Sequence, residues 1–194
     1  MKTSINIFTK CPFTGDPKTR LSPFFSKDER KFICKIMILN LMEELSSFDR
    51  SQNKVNIHVY PNYSHSFFDN LKNDFECHLF SQHGCNLIQR MNNFFLDECE
   101  NDQRTILVGS DIPGLTANII SDAIKILDTH DLVIGPSMDG GFYLLGYCGN
   151  YHNVFASSNL NAASLRQEAY QKKLSCEETI KLKDIDYPED LLII

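Results

Sequence analysis

The chain contains no tryptophan and only 9 glycines among 194 residues. Phosphate-cradling loops built on backbone alone need more glycine than that, and the Gly-x-x-x-x-Gly-Lys-Ser/Thr spacing is absent. There is no Gly-x-Ser-x-Gly elbow and no Ser-His-Asp arrangement that spacing supports. A basic excess is also missing: 19 Lys and Arg face 25 Asp and Glu, for a net charge of -6. Nucleic-acid binders draw most of their affinity from neutralised phosphates, so the balance argues against that class. Any anionic ligand must instead be held by a few local cations, by backbone N–H groups or by a metal.

The 7 cysteines include no CxxC pair. They read as reduced thiols of a cytoplasmic protein, several of them small core residues. Cys77, His78, His83 and Cys85 fit no zinc spacing, and neighbours such as Cys77 and His78 point to opposite faces of a strand. The N-terminal MKTSINIFTK has no apolar core of a signal peptide. The longest apolar stretch, Lys35 to Met42, is far too short to span a bilayer.

Hydrophobic residues make up 42% of the chain, enough for one full-sized core, and a single domain over 1–194 is expected. Ile5 and Ile7 mark a first strand ending near Lys10. Ser26-Lys27-Asp28-Glu29 has capping-box spacing and opens a helix to Leu45, with Ile33, Ile36, Met37 and Leu41 at helical intervals. Val55, Ile57 and Val59 alternate with Asn56, His58 and Tyr60, a strand with one polar face. Further strands are predicted at Cys77–Phe80, Thr105–Val108, Leu132–Ile134 and Phe142–Tyr147. Helices are predicted around Phe67–Leu71, Leu87–Phe95, the segment capped by Thr116, and Ala162–Lys173. This alternation points to an α/β fold: a mostly parallel sheet with helices on both faces. In such sheets ligands bind beyond the carboxyl ends of the strands.

Four loops are therefore candidates for chemistry. After the first strand, Lys18 and Arg20 stand two apart in a turn-rich segment preceded by Lys10, suited to a phosphate chain or simply to solvent. In Gly109-Ser110-Asp111-Ile112-Pro113, an apolar strand delivers Asp111 into a loop, where it can take a hard cation or cap a turn. In Asp139-Gly140-Gly141 the paired glycines allow close approach to a ligand, and Asp-Gly is equally a hairpin signal. In the tail, Asp184 or Asp186 can supply a second metal ligand, while Pro188-Glu189-Asp190 reads as a helix N-terminus.

Taken together, KxPxxGxxKTRL-like, QxGxxxxxRM, GSDxP, GPxxDGGFYLLG and DxDxPEDL segments occur in that order between Ile7 and Leu191. The combination resembles the DUF2064 family, whose members are similar to nucleotide-diphospho-sugar transferases of the GT-A fold. The resemblance implies a metal-binding role for Asp111, with Mg²⁺ or Mn²⁺, and a second metal ligand in Asp186. It places Lys10, Lys18, Arg20, Arg90 and Ser110 near nucleotide phosphates. Asp139, with Gly140 and Gly141, is expected beside the second substrate or the metal; beside the substrate, Asp139 orients or deprotonates an acceptor hydroxyl. Departures from the family pattern are Asn86 and Ile88, and a segment after Phe155 that reads Ala156-Ser157-Ser158-Asn159 without tryptophan.

The implied activity is transfer of a sugar from a nucleotide-sugar to a small acceptor. The alternative is nucleotidyl transfer from a nucleoside triphosphate to a phosphorylated or acidic small molecule, releasing pyrophosphate. Lys18 and Arg20 favour the latter physically, since a triphosphate demands more countercharge. A third reading is a non-catalytic nucleotide-binding module.

Overall fold

The computed structural model describes residues 2–97, 104–149 and 161–193. Strands and helices follow in the order β1 (Thr3–Lys10), α1 (Lys27–Ser46), β2 (Asn53–Tyr60), α2 (Ser66–Phe75), β3 (His78–Ser81), α3 (Leu87–Asp97) and β4 (Arg104–Gly109). Then come α4 (Ala117–Ile126), β5 (Leu132–Pro136), β6 (Phe142–Cys148), α5 (Ala162–Gln171) and β7 (Cys176–Glu178). Short 3-10 turns cover Thr19–Leu21 and Pro188–Ile193.

The strands form one sheet in the order β3-β2-β1-β4-β6-β5-β7. Neighbours are parallel except β6, which runs antiparallel to both β4 and β5. The exception has a local cause. Ser137 to Gly141 close a tight turn, with Ser137 N–H donating to Gly141 O at 3.0 Å and Gly140 at φ 91. The hairpin signal of Asp139-Gly140 is thus realised, and β6 returns beside β5 before pairing with β4.

Alternation along the strands splits the core over two faces. Ile5, Ile7, Val55, Ile57, Ile106 and Val108 pack with α1, α2 and α4. Leu107, Leu132, Ile134, Leu145 and Tyr147 pack with α3 and α5. The polar face of β2 is not solvent-facing. Asn56 and His58 are buried, and Asn56 Nδ2 donates to Asn6 Oδ1 at 2.8 Å and to Ser4 Oγ at 3.0 Å. Both bonds use the amide nitrogen of Asn56, while its Oδ1 is buried without a partner.

Helix α1 begins with the expected capping box: Glu29 N–H donates to Ser26 Oγ, and Ser26 N–H to Glu29 Oε2 at 2.8 Å. Such a cap contributes about 1 kcal/mol. One expectation needs correction. Thr116 stands at the start of α4 but makes no side-chain cap; Glu44 Oε2 takes the Ala117 N–H instead, at 2.7 Å, a cap from 73 residues away that local spacing cannot reveal. The helix start read at Pro188 is realised as the 3-10 turn Pro188–Ile193, with Glu189 and Asp190 in its first turn. Strand β7 is short and polar and carried no periodic signal. The segment Ala156 to Asn159 lies outside the described residues. No helix among the described residues is long and apolar enough to cross a membrane.

Candidate functional site

From β1 the chain builds the sheet toward β3, then crosses back to lay β4 on the other side of β1. That reversal places the carboxyl ends of β1 and β4 side by side, the position where open α/β sheets bind ligands. A cavity of about 610 Å³ opens there, within the size range of small-molecule sites. Lys10, Lys18, Arg20, Arg90, Ser110, Asp111, Asp139, Gly141 and Asp186 all line it, with Asp184 among them. Gly140 does not line the cavity; it forms the exposed tip of the β5–β6 turn, where its positive φ is required.

At one end, cations and carboxylates from three distant segments interlock. Lys18 Nζ donates to Asp111 Oδ2 at 2.8 Å and to Ile185 O at 2.5 Å. Ile185 N–H returns a bond to Asp111 O at 3.1 Å. Arg20 pairs with Asp186 and lies over the ring of Tyr187, 5.8 Å from its centroid. Ile185 is buried with Leu21 and Met37, so Asp184 and Asp186, alternating around it, turn toward the cavity. Asp190 fixes this segment: its Oδ2 accepts the N–H groups of Asp186 (2.9 Å) and Tyr187 (2.6 Å), and its Oδ1 pairs with Lys183 at 2.7 Å. Burial alone would raise the Asp190 pKa, but Lys183 and the two N–H donors overcome it and hold the carboxyl at about 2.

The other acids differ. Asp139 Oδ1 accepts from the Ser137 hydroxyl and from Gly141 N–H at 2.8 Å, and those bonds lower its pKa. This carboxylate shapes the turn and is a poor proton acceptor. Asp184 is pushed the opposite way, by burial first and then by the charges of Asp139, Asp186 and Asp111. Crowded carboxylates of this kind gain from a divalent cation. Among the described residues no three His, Cys, Asp or Glu groups form a ready-made metal cage. The donor set fits Mg²⁺ or Mn²⁺, which take one or two carboxylates and complete their shell with phosphate oxygens. The discounted zinc cluster is dispersed: Cys77 is buried and His78 exposed.

Phe8, Leu87 and Met91 line the cavity together with Arg90. Arg90 is only 7% exposed and stacks on Tyr60, its guanidinium carbon 4.0 Å from the ring centroid. Ser110, given to phosphate on resemblance, donates to Thr9 Oγ1 at 2.8 Å and so ties the ends of β4 and β1 together.

Two contributors were not among the candidate site residues. Arg30 reads as a surface position of α1, yet it is buried, with Nε on Pro17 O (3.1 Å), Nη1 on Phe25 O (3.2 Å) and Asp16 as its ion partner. It holds the loop that presents Lys18, whose own backbone is left-handed at φ 48. Gln82 Nε2 donates to Thr9 O (3.1 Å) and His58 O (2.7 Å), locking β3 to β1 and β2 at the cavity edge.

This sheet order, with a cavity at the β1 and β4 ends, is the fold of the nucleotide-diphospho-sugar transferases. A Desulfovibrio desulfuricans protein described by that name superposes with a TM-score of 0.82 at 23% identity, covering 96% of this chain and 84% of its own. The chain belongs to the DUF2064 family, described as an uncharacterized protein conserved in bacteria, whose family model matches residues 45–161. It is 30% identical over 128 residues to the 2-phospho-L-lactate guanylyltransferase of Methanocaldococcus jannaschii, 66% of this chain and 53% of that protein. The chain thus spans about half the length of that relative. The enzyme of the same name from Methanocaldococcus vulcanius is 25% identical over 185 residues, 90% of this chain and 76% of that protein.

Proposed function

We propose that this protein is a nucleotidyltransferase: it joins the nucleoside monophosphate part of a triphosphate to a small anionic acceptor and releases pyrophosphate. The observation that carries the reading is the interlocked set Lys18–Asp111 and Arg20–Asp186 at the carboxyl ends of β1 and β4. Two fixed cations alternating with two carboxylates match a triphosphate bound together with a divalent ion. Asp111 and Asp186, with Asp184 beside them, would hold Mg²⁺ or Mn²⁺, which supplies neutralisation of phosphate charge. Lys18 and Arg20, released from their carboxylates, bind and orient the phosphates, and the site needs no further chemistry from its side chains than positioning and charge.

The acceptor follows from what the cavity lacks. Among the described residues no histidine lines it, and Asp139 is committed to its turn with a lowered pKa. A hydroxyl acceptor calls for a base; a phosphate oxygen, already ionised near neutral pH, does not. Its attack forms the new P–O bond at the α-phosphorus as the bond to the β-phosphate breaks, and the leaving pyrophosphate takes the electron pair. This favours nucleotidyl over glycosyl transfer, as do the curated relatives, named for a guanylyltransferase acting on 2-phospho-L-lactate. Asp139 is reassigned from acceptor base to a residue that shapes the acceptor wall.

The test is pyrophosphate release from each of the four common nucleoside triphosphates, with Mg²⁺ or Mn²⁺ and with 2-phospho-L-lactate or related phosphorylated acids. Pyrophosphate that appears only with acceptor, and vanishes in Asp111→Ala, is the expected result. Nucleoside diphosphate released from a nucleotide-sugar would return the glycosyl reading. Metal-dependent binding without turnover across the panel would favour a binding module.

A further inference from the structure

Of the four cations on the cavity wall, Lys18 and Arg20 are paired with carboxylates and Lys10 is exposed. Arg90 is different. It is 7% exposed, and among the described residues its side chain has no ion pair and no hydrogen bond. Its Nε is buried without a partner, and the only contact described for its head is the face of Tyr60. A guanidinium sheltered from water and left unmatched is costly unless something arrives to accept from it. Stacking fixes the plane of the fork and leaves its edge free for a ligand offering two adjacent acceptors.

The surroundings say which ligand. Lys18 and Asp111 form a charged pair, whereas Arg90 shares helix α3 with Leu87 and Met91, which line the same cavity together with Phe8. Apolar neighbours suit a flat base better than a triphosphate. Arginine meets guanine at O6 and N7 bidentately, while adenine offers an acceptor beside a donor and is read by Asn or Gln. The one glutamine at this wall is unable to do that, since both donors of Gln82 are spent on Thr9 O and His58 O. We infer that Arg90, braced on Tyr60, reads the O6/N7 edge of a guanine base and sets the nucleotide specificity of the site. The inference rests on the nucleotide reading above and adds the residue that chooses the base.

The test measures Mg²⁺-dependent binding of GTP, 7-deaza-GTP, ITP and ATP to the full chain by calorimetry. Wild type, Arg90→Met and Arg90→Lys are compared, with thermal unfolding as a check on folding. Wild type should bind GTP and ITP, both of which keep O6 and N7, roughly 5- to 150-fold more tightly than ATP, the range expected of one bidentate pair. 7-Deaza-GTP, lacking N7, should fall between, and this arm requires no variant. Arg90→Met should level GTP and ATP, and Arg90→Lys, which keeps charge without the fork, should restore only part of the preference. An equal loss of GTP and ATP affinity in Arg90→Met would make Arg90 a phosphate contact and overturn the assignment. So would wild-type binding that ignores N7. Failure of every nucleotide to bind wild type would sink the nucleotide reading itself, and the inference with it.

Discussion

Replacing Lys18 with methionine separates the two halves of the site. Lys18 Nζ makes two bonds, to Asp111 Oδ2 at 2.8 Å and to Ile185 O at 2.5 Å, and its side chain is 13% exposed. A charged hydrogen bond contributes about 1.5–3 kcal/mol when shielded. Asp111 is 44% exposed, so solvent screening cuts that pair toward about 1 kcal/mol. With the Ile185 carbonyl also left without its donor, the variant should lose about 2 kcal/mol, lowering Tm by about 4–8 °C for a chain of this size. Ligand binding should respond in opposite senses. In wild type a metal ion must displace the ammonium from Asp111, whereas in Lys18→Met the carboxylate is free. Mn²⁺ alone, followed by electron paramagnetic resonance, should therefore bind about tenfold more tightly to the variant, equivalent to about 1.4 kcal/mol. Triphosphate in the presence of metal should bind more weakly, since its cation is gone. Coupling between metal and nucleotide is reciprocal, so within each protein the factor by which metal changes triphosphate affinity must equal the factor by which triphosphate changes metal affinity. Weaker or unchanged Mn²⁺ binding in the variant would refute the idea that Lys18 masks Asp111.

Three further outcomes follow from the geometry. Asp190→Asn should cost about 2 kcal/mol at neutral pH, because a carboxyl held at about 2 against an ordinary 3.8 stabilises the fold above 3.8 and ceases to as pH falls toward 2; urea unfolding at pH 7 and pH 2 checks it, and an unchanged pH 7 midpoint would count against it. His58 is driven down to about 4, by burial first and by Lys54 second, so the unfolded chain protonates near 6.5 before the folded one. Stability should fall as pH drops from 6.5 to about 4, by about 3 kcal/mol at most, and His58→Phe should flatten that slope in denaturant titrations. Gly146→Ala should destabilise by about 1–3 kcal/mol in thermal unfolding, since its Cβ would lie 2.6 Å from Ile106 Cδ1 and 2.7 Å from Val133 Cγ1, within one packed face of the core.

The strands and helices were legible because their signals are local: alternation in β2, a capping box at α1, an Asp-Gly turn before β6. What local reading missed depends on partners far along the chain. Glu44 caps α4 across 73 residues, and Arg30 anchors the Lys18 loop through carbonyls of Pro17 and Phe25. A charged residue on a helix carries no mark of the burial its neighbours will impose. The candidate site shows the same division. Residue types at strand ends drew attention to Lys18, Asp111 and Asp186, which the fold does bring to one cavity. Their mutual pairing was out of reach of spacing, because it joins residues 93 and 166 positions apart. Asp139 shows the converse: the residue lies where expected, yet the Ser137 hydroxyl and Gly141 N–H give its carboxylate a structural task.

The pairing itself carries the last step. A site with separate, unpaired cations and carboxylates would bind free phosphate at one half and free metal at the other. With Lys18 on Asp111 and Arg20 on Asp186, either ligand alone must break an ion pair and leave one of its charges without its partner. A metal–triphosphate complex breaks both pairs and satisfies all four groups at once. The free site is thus tuned against its partial ligands, and discrimination comes from the arrangement of charges rather than from their number. Reversing Arg20–Asp186 by the double change Arg20→Asp and Asp186→Arg keeps the pair and its net charge while inverting which end faces phosphate and which faces metal. That variant should fold with a Tm close to wild type and lose metal-dependent triphosphate binding by more than tenfold. If binding survived the swap, a diffuse electrostatic field would suffice and the interlock would have no role.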